Sequence, residues 1–329
     1  MKSIQVEQFG GPERLTLADV AMPRPGPGDV LVRLTHAGIN YIDVYMRDGS
    51  YARSHTYKTP LPMTLGMEGC GRIEQLGDGV SGLCVGQSVA YCLSRGSYAE
   101  YAVVPAWKVV PVPDRTDPAI ATALMLQGST AHYLTHSAFP LKRGDTCLIH
   151  AGAGGVGQLL IQLAKRAGAT VITTVGSADK AQIARDRGAD HVILYRDVDF
   201  GDEVRRLTDG RGVDVVYDSV GRDTLPRSLR ALRRRGVCIS FGASSGQPEP
   251  VSVLDLAEAG SVFLTRPHLA DYMTTTEEIR ARAADLFMAH RDGSLRVTVD
   301  KRYPLAEAAA AHAAIEGRAT RGKLLLDIA

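Results

Sequence analysis

Long apolar runs are missing from this sequence, and no charged-then-apolar leader opens it. No stretch reaches the roughly 18 uninterrupted apolar residues that a membrane-spanning helix requires. The first residues, MKSIQV, alternate directly between apolar and polar side chains, unlike a secretory signal. We therefore expect a cytoplasmic protein that does not associate with a membrane.

Cysteine is also scarce, and its pattern argues against a disulfide framework. The five cysteines are an odd number and lie far apart, mostly within apolar runs. This pattern is typical of small core residues in a reducing compartment. No two of them have the CxxC spacing of a structural zinc cluster.

The sequence also has no large excess of positive or negative charge. The net charge of +2 gives too weak a field to bind phosphate backbones or anionic lipid by counterion release. The densest basic stretch, residues 222–235, is predicted to be a solvated helix face that ends at Gly236 and lacks aromatic residues for base stacking. We therefore do not expect nucleic acid as a main partner. The arginines that define this stretch are Arg227, Arg230, Arg233, Arg234 and Arg235.

The length and the changing pattern of the chain predict two domains. A chain of 329 residues, 45% hydrophobic and 22% charged, is typical of a globular protein larger than a single core. Up to about residue 120, short strands such as residues 29–34, 71–76 and 87–91 indicate a β-rich domain. We expect this domain to comprise residues 1–124 and 266–329, and a second domain to comprise residues 125–265.

Strand and helix patterns alternate from residue 145 onward, after a predicted long helix over residues 118–136. The predicted strands are residues 146–150, 171–175, 191–195, 214–218, 237–241 and 261–265. The predicted helices between them are residues 156–167, 178–188, 201–208 and 224–234. Six strands with helical crossovers specify an α/β fold with a doubly wound parallel sheet. The tail returns to mixed character, with predicted helices at residues 275–289 and 305–316 and strands at residues 295–299 and 322–328.

A glycine-rich turn, GAGGVG at residues 152–157, follows the first of these strands and opens a helix. Small residues at such a turn let backbone N–H groups approach a pyrophosphate that lies at the positive end of the helix. Gly152, Gly154 and Gly157 occupy the three glycine positions of the dinucleotide-binding fingerprint. The turn therefore predicts a bound dinucleotide.

The end of the next strand favours NADPH over NADH. An acidic side chain there would bind the ribose hydroxyls and exclude a 2′-phosphate. The segment TVGSADK, residues 174–180, has no carboxylate at the strand end, and Ser177 and Lys180 supply a donor and a cation. We expect Asp179 to lie on the helix surface.

Several segments resemble the zinc-free quinone oxidoreductases of the medium-chain dehydrogenase/reductase superfamily, the group that includes zeta-crystallin. They are AGINYID (residues 37–43), GMEGCG (66–71), residues 144–165 and VYDSVG (216–221), and residues 240–246, 265–267 and 318–320 fit the bacterial NADPH:quinone reductases. The resemblance covers essentially the entire chain. It implies a GroES-like catalytic domain packed against a Rossmann domain, NADPH as cofactor, and a homodimer joined through the edge of the Rossmann sheet.

The resemblance also implies which residues form the cofactor site, with Asn40 and Thr130 near the nicotinamide. For Arg266 and Arg318 a surface cation remains the alternative, and for Tyr195 an ordinary strand-end aromatic. The predicted cofactor-binding residues are Asn40, Thr130, Gly152, Ala153, Gly154, Gly155, Val156, Gly157, Gly176, Ser177, Lys180, Tyr195, Ser219, Phe241, Gly242, Arg266, Arg318 and Lys323.

The ligands of a catalytic zinc are missing from the sequence. Zinc-dependent relatives hold the metal with Cys and His, whereas Ala37 stands where the first Cys would be and Met67 replaces the His of a Gly-His-Glu pattern. We therefore expect no metal. Glu68 is interpreted as a structural residue, with a general base as the alternative.

Without a metal, the simplest chemistry is direct hydride transfer to an acceptor that needs little activation, such as a quinone. Asn40, Tyr45 and Tyr51 are the candidate donors for the developing oxyanion. We interpret residues 52–64 as a lengthened family loop, which adds His55 and Tyr57 as candidates for the substrate site.

Two alternatives remain open. NADPH-dependent reduction of α,β-unsaturated carbonyls uses the same hydride donor and differs in the accepting carbon. A protein of another class, an NADPH-binding structural or RNA-binding relative of zeta-crystallin, would be favoured by a blocked substrate site or by the basic stretch at residues 222–235.

Overall fold

The computed structural model describes residues 1–328, and strands and helices follow each other along most of that range. The strands are β1 (Lys2–Val6), β2 (Thr16–Asp19), β3 (Asp29–Ile39), β4 (Met63–Thr64), β5 (Glu68–Leu76), β6 (Ser88–Cys92), β7 (Tyr101–Pro105), β8 (Val110–Pro111), β9 (Thr146–Ile149), β10 (Thr170–Val175), β11 (His191–Leu194), β12 (Val213–Asp218), β13 (Leu232–Ser240), β14 (Phe263–Thr265), β15 (Val299–Pro304) and β16 (Lys323–Asp327). The helices are α1 (Tyr41–Arg47), α2 (Pro118–Ala123), α3 (Ser129–Tyr133), α4 (Gly155–Arg166), α5 (Ala178–Asp186), α6 (Phe200–Leu207), α7 (Leu225–Ala231), α8 (Val253–Glu258), α9 (Thr276–Arg291) and α10 (Ala308–Glu316).

One compact unit comprises Thr130–Tyr272 and His290–Arg296. Its sheet has six parallel strands in the order β11-β10-β9-β12-β13-β14. This order confirms the predicted doubly wound sheet. It reverses between β9 and β12, and sheets of this kind bind ligands at the carboxyl ends of the strands where the order reverses.

Burial on both faces explains why the central strands of this sheet are apolar. Every residue of β12 is buried, and Cys147, Leu148 and Ile149 of β9 have no exposed surface. On one side of the sheet, Phe200 of α6 and Leu229 of α7 pack into the core. The central strands therefore form a rigid base for the loops at their carboxyl ends.

The predicted helix over residues 224–234 is wrong in its last three residues. Helix α7 ends at Ala231, and the following residues form β13. Leu232 is fully buried and pairs with Val213 of β12, so the pairing with a neighbouring strand overrides the helical propensity of the arginine run. Arg233 consequently points to Asp214 at the amino-terminal edge of the sheet, and the expected continuous basic helix face does not form.

The other compact unit comprises Met1–Ser129, Met273–Ala289 and the residues from Val297 onward. It contains a three-stranded antiparallel sheet, β2-β1-β4, and a larger sheet in the order β15-β16-β3-β5-β6-β8, in which β7 also pairs with β3. The long strand β3 is central because it pairs with β5, β7 and β16. The C-terminal strand β16 thus completes a sheet built mainly from the first hundred or so residues of the chain.

Two further predictions concern helices and the tail. Residues 118–138 are helical almost throughout, as predicted, with π turns at Leu124–Gly128 and Leu134–Ala138. The predicted strand at residues 295–299 is wrong, since the strand begins only at Val299. The Arg296 backbone N–H donates instead to Gln162 Oε1 of α4, at 2.7 Å.

In the described range, residues 1–328, there is no helix whose length and apolar character together would let it cross a membrane.

Candidate active site

The glycine turn lies at the carboxyl end of β9 and leads into α4. A Cβ atom added to Gly152 would lie 2.1 Å from Thr173 Oγ1, and one added to Gly157 would lie 2.3 Å from the Ala151 carbonyl oxygen. A larger residue at Gly152 would therefore push the turn away from the sheet, and one at Gly157 would force the turn itself open. Gly154 is the N-cap of α4, and a glycine has no side chain to occupy the first N–H groups of the helix. The turn thus fits the pyrophosphate of a dinucleotide.

The ends of β10 and β11 bring together the residues that were predicted to recognise the adenosine ribose. The Tyr195 hydroxyl lies over Gly176, where a Cβ atom would be only 2.8 Å from it. Ser177 is the N-cap of α5, and Lys180 stands in the first turn of this helix. The exposed Asp179 accepts a hydrogen bond from the Ser177 hydroxyl, so a 2′-phosphate at this edge would share Ser177 with a carboxylate.

The carboxyl ends of β12 and β13 lie on the other side of the glycine turn from those of β10 and β11 and form the second side of the crevice at this edge of the sheet. Ser219 and Gly242 are in contact there, and a Cβ atom on Gly242 would lie 2.7 Å from the Ser219 carbonyl oxygen. Phe241 and Arg266 leave neighbouring strands, because Ile239 pairs with Thr265. Thr130 is buried in α3. The structure therefore arranges most of the predicted cofactor residues of this unit along the carboxyl edge of one sheet.

A buried polar network behind these loops was missed in the sequence. The Asp218 carboxylate accepts the backbone N–H groups of Val220 (2.9 Å) and Gly221 (3.0 Å), and it accepts the Ser228 hydroxyl at 2.8 Å. His150 links Ser228 to Thr174, at 2.9 Å on each ring nitrogen. Burial keeps the pKa of His150 below its ordinary value, so a neutral ring joins the ends of β9, β10 and β12. The only sequence signal was that His150 directly follows a strand and Asp218 ends one.

Asn40, Glu68 and Lys323 form a buried cluster in the other unit. The Lys323 ammonium donates to Asn40 Oδ1 at 2.7 Å and contacts Glu68 Oε2. Asn40 Nδ2 donates to the same Glu68 oxygen at 2.9 Å. Glu68 Oε1 accepts the backbone N–H of Leu126. Lys323 and Glu68 are almost completely shielded from solvent, so each charge has the other as its main compensation.

The hydrogen bonds of this cluster fix the orientation of the Asn40 amide and of the Lys323 side chain. The Asn40 amide hydrogens point at Glu68 and, at 3.4 Å, at the Gly38 carbonyl oxygen. Gly38 is required here, since a Cβ atom would lie 1.8 Å from Glu68 Oε2. The interpretation of Glu68 as a structural residue agrees with these contacts. Lys323 points into the same cluster and contacts Asn40 and Glu68.

The tyrosines predicted at the substrate site form one cluster of neighbouring rings. The ring centroids of Tyr45 and Tyr51 are 5.3 Å apart, and those of Tyr51 and Tyr57 are 5.4 Å apart with nearly parallel planes. Tyr57 is buried while His55 is exposed, so Tyr57 is the residue of the 52–64 loop that joins this group. Arg318 is exposed after the end of α10, with a left-handed φ of 54°.

The residues at the expected zinc position do not fit a zinc ion. Ala37 is a buried residue of β3, opposite Gly69 and Leu326, and Met67 is buried just before β5. Neither offers the thiolate or imidazole that zinc requires. The charged group at this place is the Lys323 ammonium, which lies against Glu68.

A doubly wound sheet with a glycine turn at the point where its strand order reverses defines a dinucleotide-binding fold. Comparisons with known proteins show which class of dinucleotide-binding protein this is. Residues 155–288 match the family described as zinc-binding dehydrogenase, and residues 26–114 match the alcohol dehydrogenase GroES-like domain. The second match confirms the GroES-like prediction.

Full-length relatives narrow the family further. The chain is 43% identical over 326 residues to a 2-haloacrylate reductase of a Burkholderia species, covering 98% of this chain and 97% of that protein. It is 41% identical to a quinone oxidoreductase of Pseudomonas aeruginosa, covering 99% of both. The crystal structure of Escherichia coli quinone oxidoreductase complexed with NADPH matches with a TM-score of 0.96 and 39% identity, over 99% of this chain and 100% of that one. The chain belongs to the quinone oxidoreductase family of the medium-chain dehydrogenase/reductase superfamily.

The Lys323–Glu68 contact leads to a stability prediction. Lys323→Met is expected to lower the free energy of unfolding by about 3–5 kcal/mol, because it leaves a buried carboxylate without its counter-charge. Urea-induced unfolding followed by circular dichroism measures this change. The double variant Lys323→Met/Glu68→Gln removes both charges and should lose less.

A matched control is the exposed pair of Lys2 and Asp19 in the same unit, with Nζ and Oδ2 2.6 Å apart. Lys2→Met is expected to leave the free energy of unfolding close to that of the wild type, because exposed ion pairs contribute little to stability. A Lys323→Met variant as mild as Lys2→Met would contradict the structural role of the buried pair.

Proposed function

We propose that this protein is an NADPH:quinone oxidoreductase that works without a metal. The observation that carries the proposal is the glycine turn, where an added Cβ atom would collide with Thr173 of the sheet at Gly152 and with the backbone of the turn itself at Gly157. Membership of the quinone oxidoreductase family supports the choice of acceptor. The proposal combines a phosphate-binding turn with a catalytic unit that lacks zinc ligands.

The cofactor would be held mainly by backbone groups at the carboxyl ends of the parallel strands. The residues 152–157 would bind the pyrophosphate, and Ser177 and Lys180 would bind the 2′-phosphate of NADPH. Ser219 and Gly242 bring two loops close together on the other side of the crevice. When bound, the reduced nicotinamide supplies the hydride.

The tyrosine cluster is the best candidate for contact with the acceptor. Tyr45 and Tyr51 carry hydroxyl groups and large rings within 5.3 Å of each other, and planar aromatic rings favour offset stacking with other planar rings. Their hydroxyl groups are candidate donors to an oxygen that gains negative charge. Asn40 has its amide hydrogens on Glu68 and Gly38, so we assign it to positioning.

A second candidate function is reduction of an activated carbon–carbon double bond. It is favoured by the relative named 2-haloacrylate reductase, which is 43% identical to this chain. Both reactions use the same cofactor site and differ in the acceptor.

An acceptor panel tests the choice between these functions. NADPH oxidation is expected to be faster with 1,4-benzoquinone or 9,10-phenanthrenequinone than with an enone or a 2-alkenal, because a quinone is activated without a bound Lewis acid. The measurement is the loss of NADPH absorbance under steady-state conditions. Faster turnover of the enone would replace the quinone assignment with the second candidate.

The preference for NADPH is tested at Lys180. Lys180→Ala is expected to raise the KM for NADPH about tenfold and to leave the KM for NADH nearly unchanged, since it removes a cation that would pair with the 2′-phosphate. Arg185→Ala is a matched control, because Arg185 is an exposed cation near the other end of the same helix. Equal effects of Lys180→Ala on both cofactors would remove Lys180 from the phosphate site.

We also propose a homodimer through the β14 edge of the parallel sheet. Within residues 1–328, β14 pairs on one side only, with β13. Phe263 in this strand is 61% exposed, and Val253 and Leu254 in α8 are 83% and 65% exposed. An open strand edge beside exposed apolar side chains favours association with a second copy.

The dimer is tested by light scattering after size-exclusion chromatography. Phe263→Glu is expected to shift the mass from two chains to one, because it places a charge in the proposed interface. Val85→Glu is the control, since Val85 is a similarly exposed apolar residue of the other unit, at 63%. A wild-type protein with the mass of a single chain would exclude the dimer.

The observations disfavour an RNA-binding role and favour a cytoplasmic location. The arginine run is divided between α7 and β13, and Arg227 and Arg233 pair with Asp199 and Asp214. This leaves less of the continuous basic surface that counterion release requires.

The cysteines favour a cytoplasmic location. Four of the five cysteines are buried free thiols, which is typical of a reducing compartment.

A further inference from the structure

The turn that follows β6 carries an arginine, Arg95, next to the candidate active site. The backbone N–H groups of Leu93 and Gly96 donate to the carbonyl oxygens of Met67 and Gly66, each at 2.8 Å. Arg95 stands between these two anchored residues of the turn. Its backbone is therefore fixed beside the residues that lead directly into β5, whose first residue is the buried carboxylate of the candidate site.

The Arg95 side chain reaches from this turn to the loop that carries the third tyrosine of the cluster. Its Nη1 donates to the Lys58 carbonyl oxygen at 2.8 Å. Lys58 directly follows Tyr57, whose ring centroid lies 5.4 Å from that of Tyr51. The guanidinium is therefore bound one residue away from the tyrosine cluster, which is the proposed contact of the acceptor.

The Arg95 guanidinium has no acidic partner. Within the part of the chain that the structure describes, residues 1–328, the bond to Lys58 is its one hydrogen bond, and it forms no ion pair. Arg95 is half-buried, and burial lowers the pKa of its guanidinium without any carboxylate that offsets this effect. A guanidinium is a fork of several N–H donors, and most of those on Arg95 remain available.

The segments around Arg95 contribute positive charge and no negative charge. Residues 49–67 include basic side chains but neither Asp nor Glu. In residues 79–99, Arg95 is the only charged residue. Glu68, the acidic residue that follows the first of these segments, is buried and already paired with a lysine. A ligand beside Arg95 would therefore meet a positive field that the neighbouring chain does not compensate.

An arginine in such a place is suited to bind a carboxylate. A guanidinium that is partly removed from water without a counter-charge is in an unfavourable state. Its planar set of donors matches the two oxygens of a carboxylate and binds them with parallel hydrogen bonds. A bound carboxylate would supply the negative charge that the chain itself does not provide at this turn.

We propose that Arg95 is a specificity-determining residue that binds a negatively charged substituent, such as a carboxylate, on the hydride acceptor. The tyrosine hydroxyls remain the candidate donors to the oxygen that gains charge during reduction, so the two tasks belong to different groups. The proposal rests on the proposed function, because that assignment makes the tyrosine cluster the contact of the acceptor. It adds that the preferred acceptor is anionic.

The experiment compares two acceptors of similar size that differ in charge, 1,4-naphthoquinone-2-carboxylate and 1,4-naphthoquinone-2-carboxamide. Arg95→Gln removes the cation and keeps a polar side chain. The ratio of kcat/KM for the carboxylate to kcat/KM for the carboxamide is expected to fall about tenfold or more, because a charge-assisted hydrogen bond is lost for the carboxylate alone. The KM for NADPH should stay close to that of the wild type.

Arg72→Gln is the matched control in the same compact unit. The Arg72 guanidinium also donates through Nη1 to a backbone carbonyl oxygen, that of Gly86, at 2.9 Å. Gly86 precedes β6 whereas Arg95 follows it, so the two arginines bind at opposite ends of this strand. Arg72→Gln should leave the ratio unchanged. Arg95→Lys keeps the charge without the planar fork and should retain part of the preference for the carboxylate.

An equal loss for both acceptors in Arg95→Gln would show a structural role and would overturn the proposal, as would an unchanged ratio. If Arg95→Gln does not fold, the wild type decides the question. Added salt should raise the KM for the carboxylate more than that for the carboxamide, because salt screens the attraction to a partly exposed cation. Equal responses of the two acceptors to salt would contradict the proposal.

Failure of the proposed function can be told apart from failure of this inference. A wild-type enzyme that reduces neither quinone would refute the proposed function. The Kd values of 2-naphthoate and 2-naphthamide for the protein with NADP⁺, measured by calorimetry, would still test Arg95 without any turnover. Arg95→Gln should weaken binding of 2-naphthoate alone, and an equal effect on both compounds, or no effect on either, would remove Arg95 from the site.

Discussion

The buried contact between the Lys323 ammonium and the Glu68 carboxylate joins three segments that are far apart in the sequence. Lys323 begins β16, Glu68 begins β5, and both contact Asn40 at the turn between β3 and α1. An unpaired charge at such a buried place costs several kcal/mol, so each partner is stable only when the other strand is in register. Gly38 follows from the same constraint, because a side chain there would occupy the position of the carboxylate.

The unit with the parallel sheet also has buried polar groups that join distant segments, but here they are a carboxylate and a histidine instead of an ion pair. Asp218 and His150 are buried and hold the loops at the ends of β9, β10 and β12. Tyr195, in contrast, is 44% exposed at the end of β11. In this unit, buried polar groups fix the backbone, and the more exposed Tyr195 is left at the strand end. This difference is expected, because a polar group that already makes its hydrogen bonds to a neighbouring loop has no free donor or acceptor for a small molecule.

The parts of the fold that local sequence determines were predictable. The six parallel strands alternate with helices in sequence, and the glycine turn is a contiguous segment between a strand and a helix, so period and spacing were sufficient. The arginine run was misassigned because Leu232 is drawn into a strand by Val213, 19 positions earlier. The hydrogen bonds of the Asn40 side chain could not be predicted either, because its partners Glu68 and Lys323 lie 28 and 283 positions away in the sequence. Long-range pairing leaves no periodic signal in a single sequence.

In the unit that contains Ala37 and Met67, the charges around the expected zinc position bear on the type of hydride acceptor. A catalytic zinc ion would contribute a strong positive charge to polarise a carbonyl oxygen. Ala37 and Met67 contribute no ligands for it, and Lys323, the buried cation beside Asn40, is neutralised by Glu68. The hydroxyl groups of Tyr45 and Tyr51, the candidate contacts of the acceptor, are neutral donors. A site with the proposed tyrosine donors would stabilise an oxyanion by hydrogen bonds alone, which would favour an acceptor that is already strongly electrophilic, as a quinone is, over a simple ketone or aldehyde.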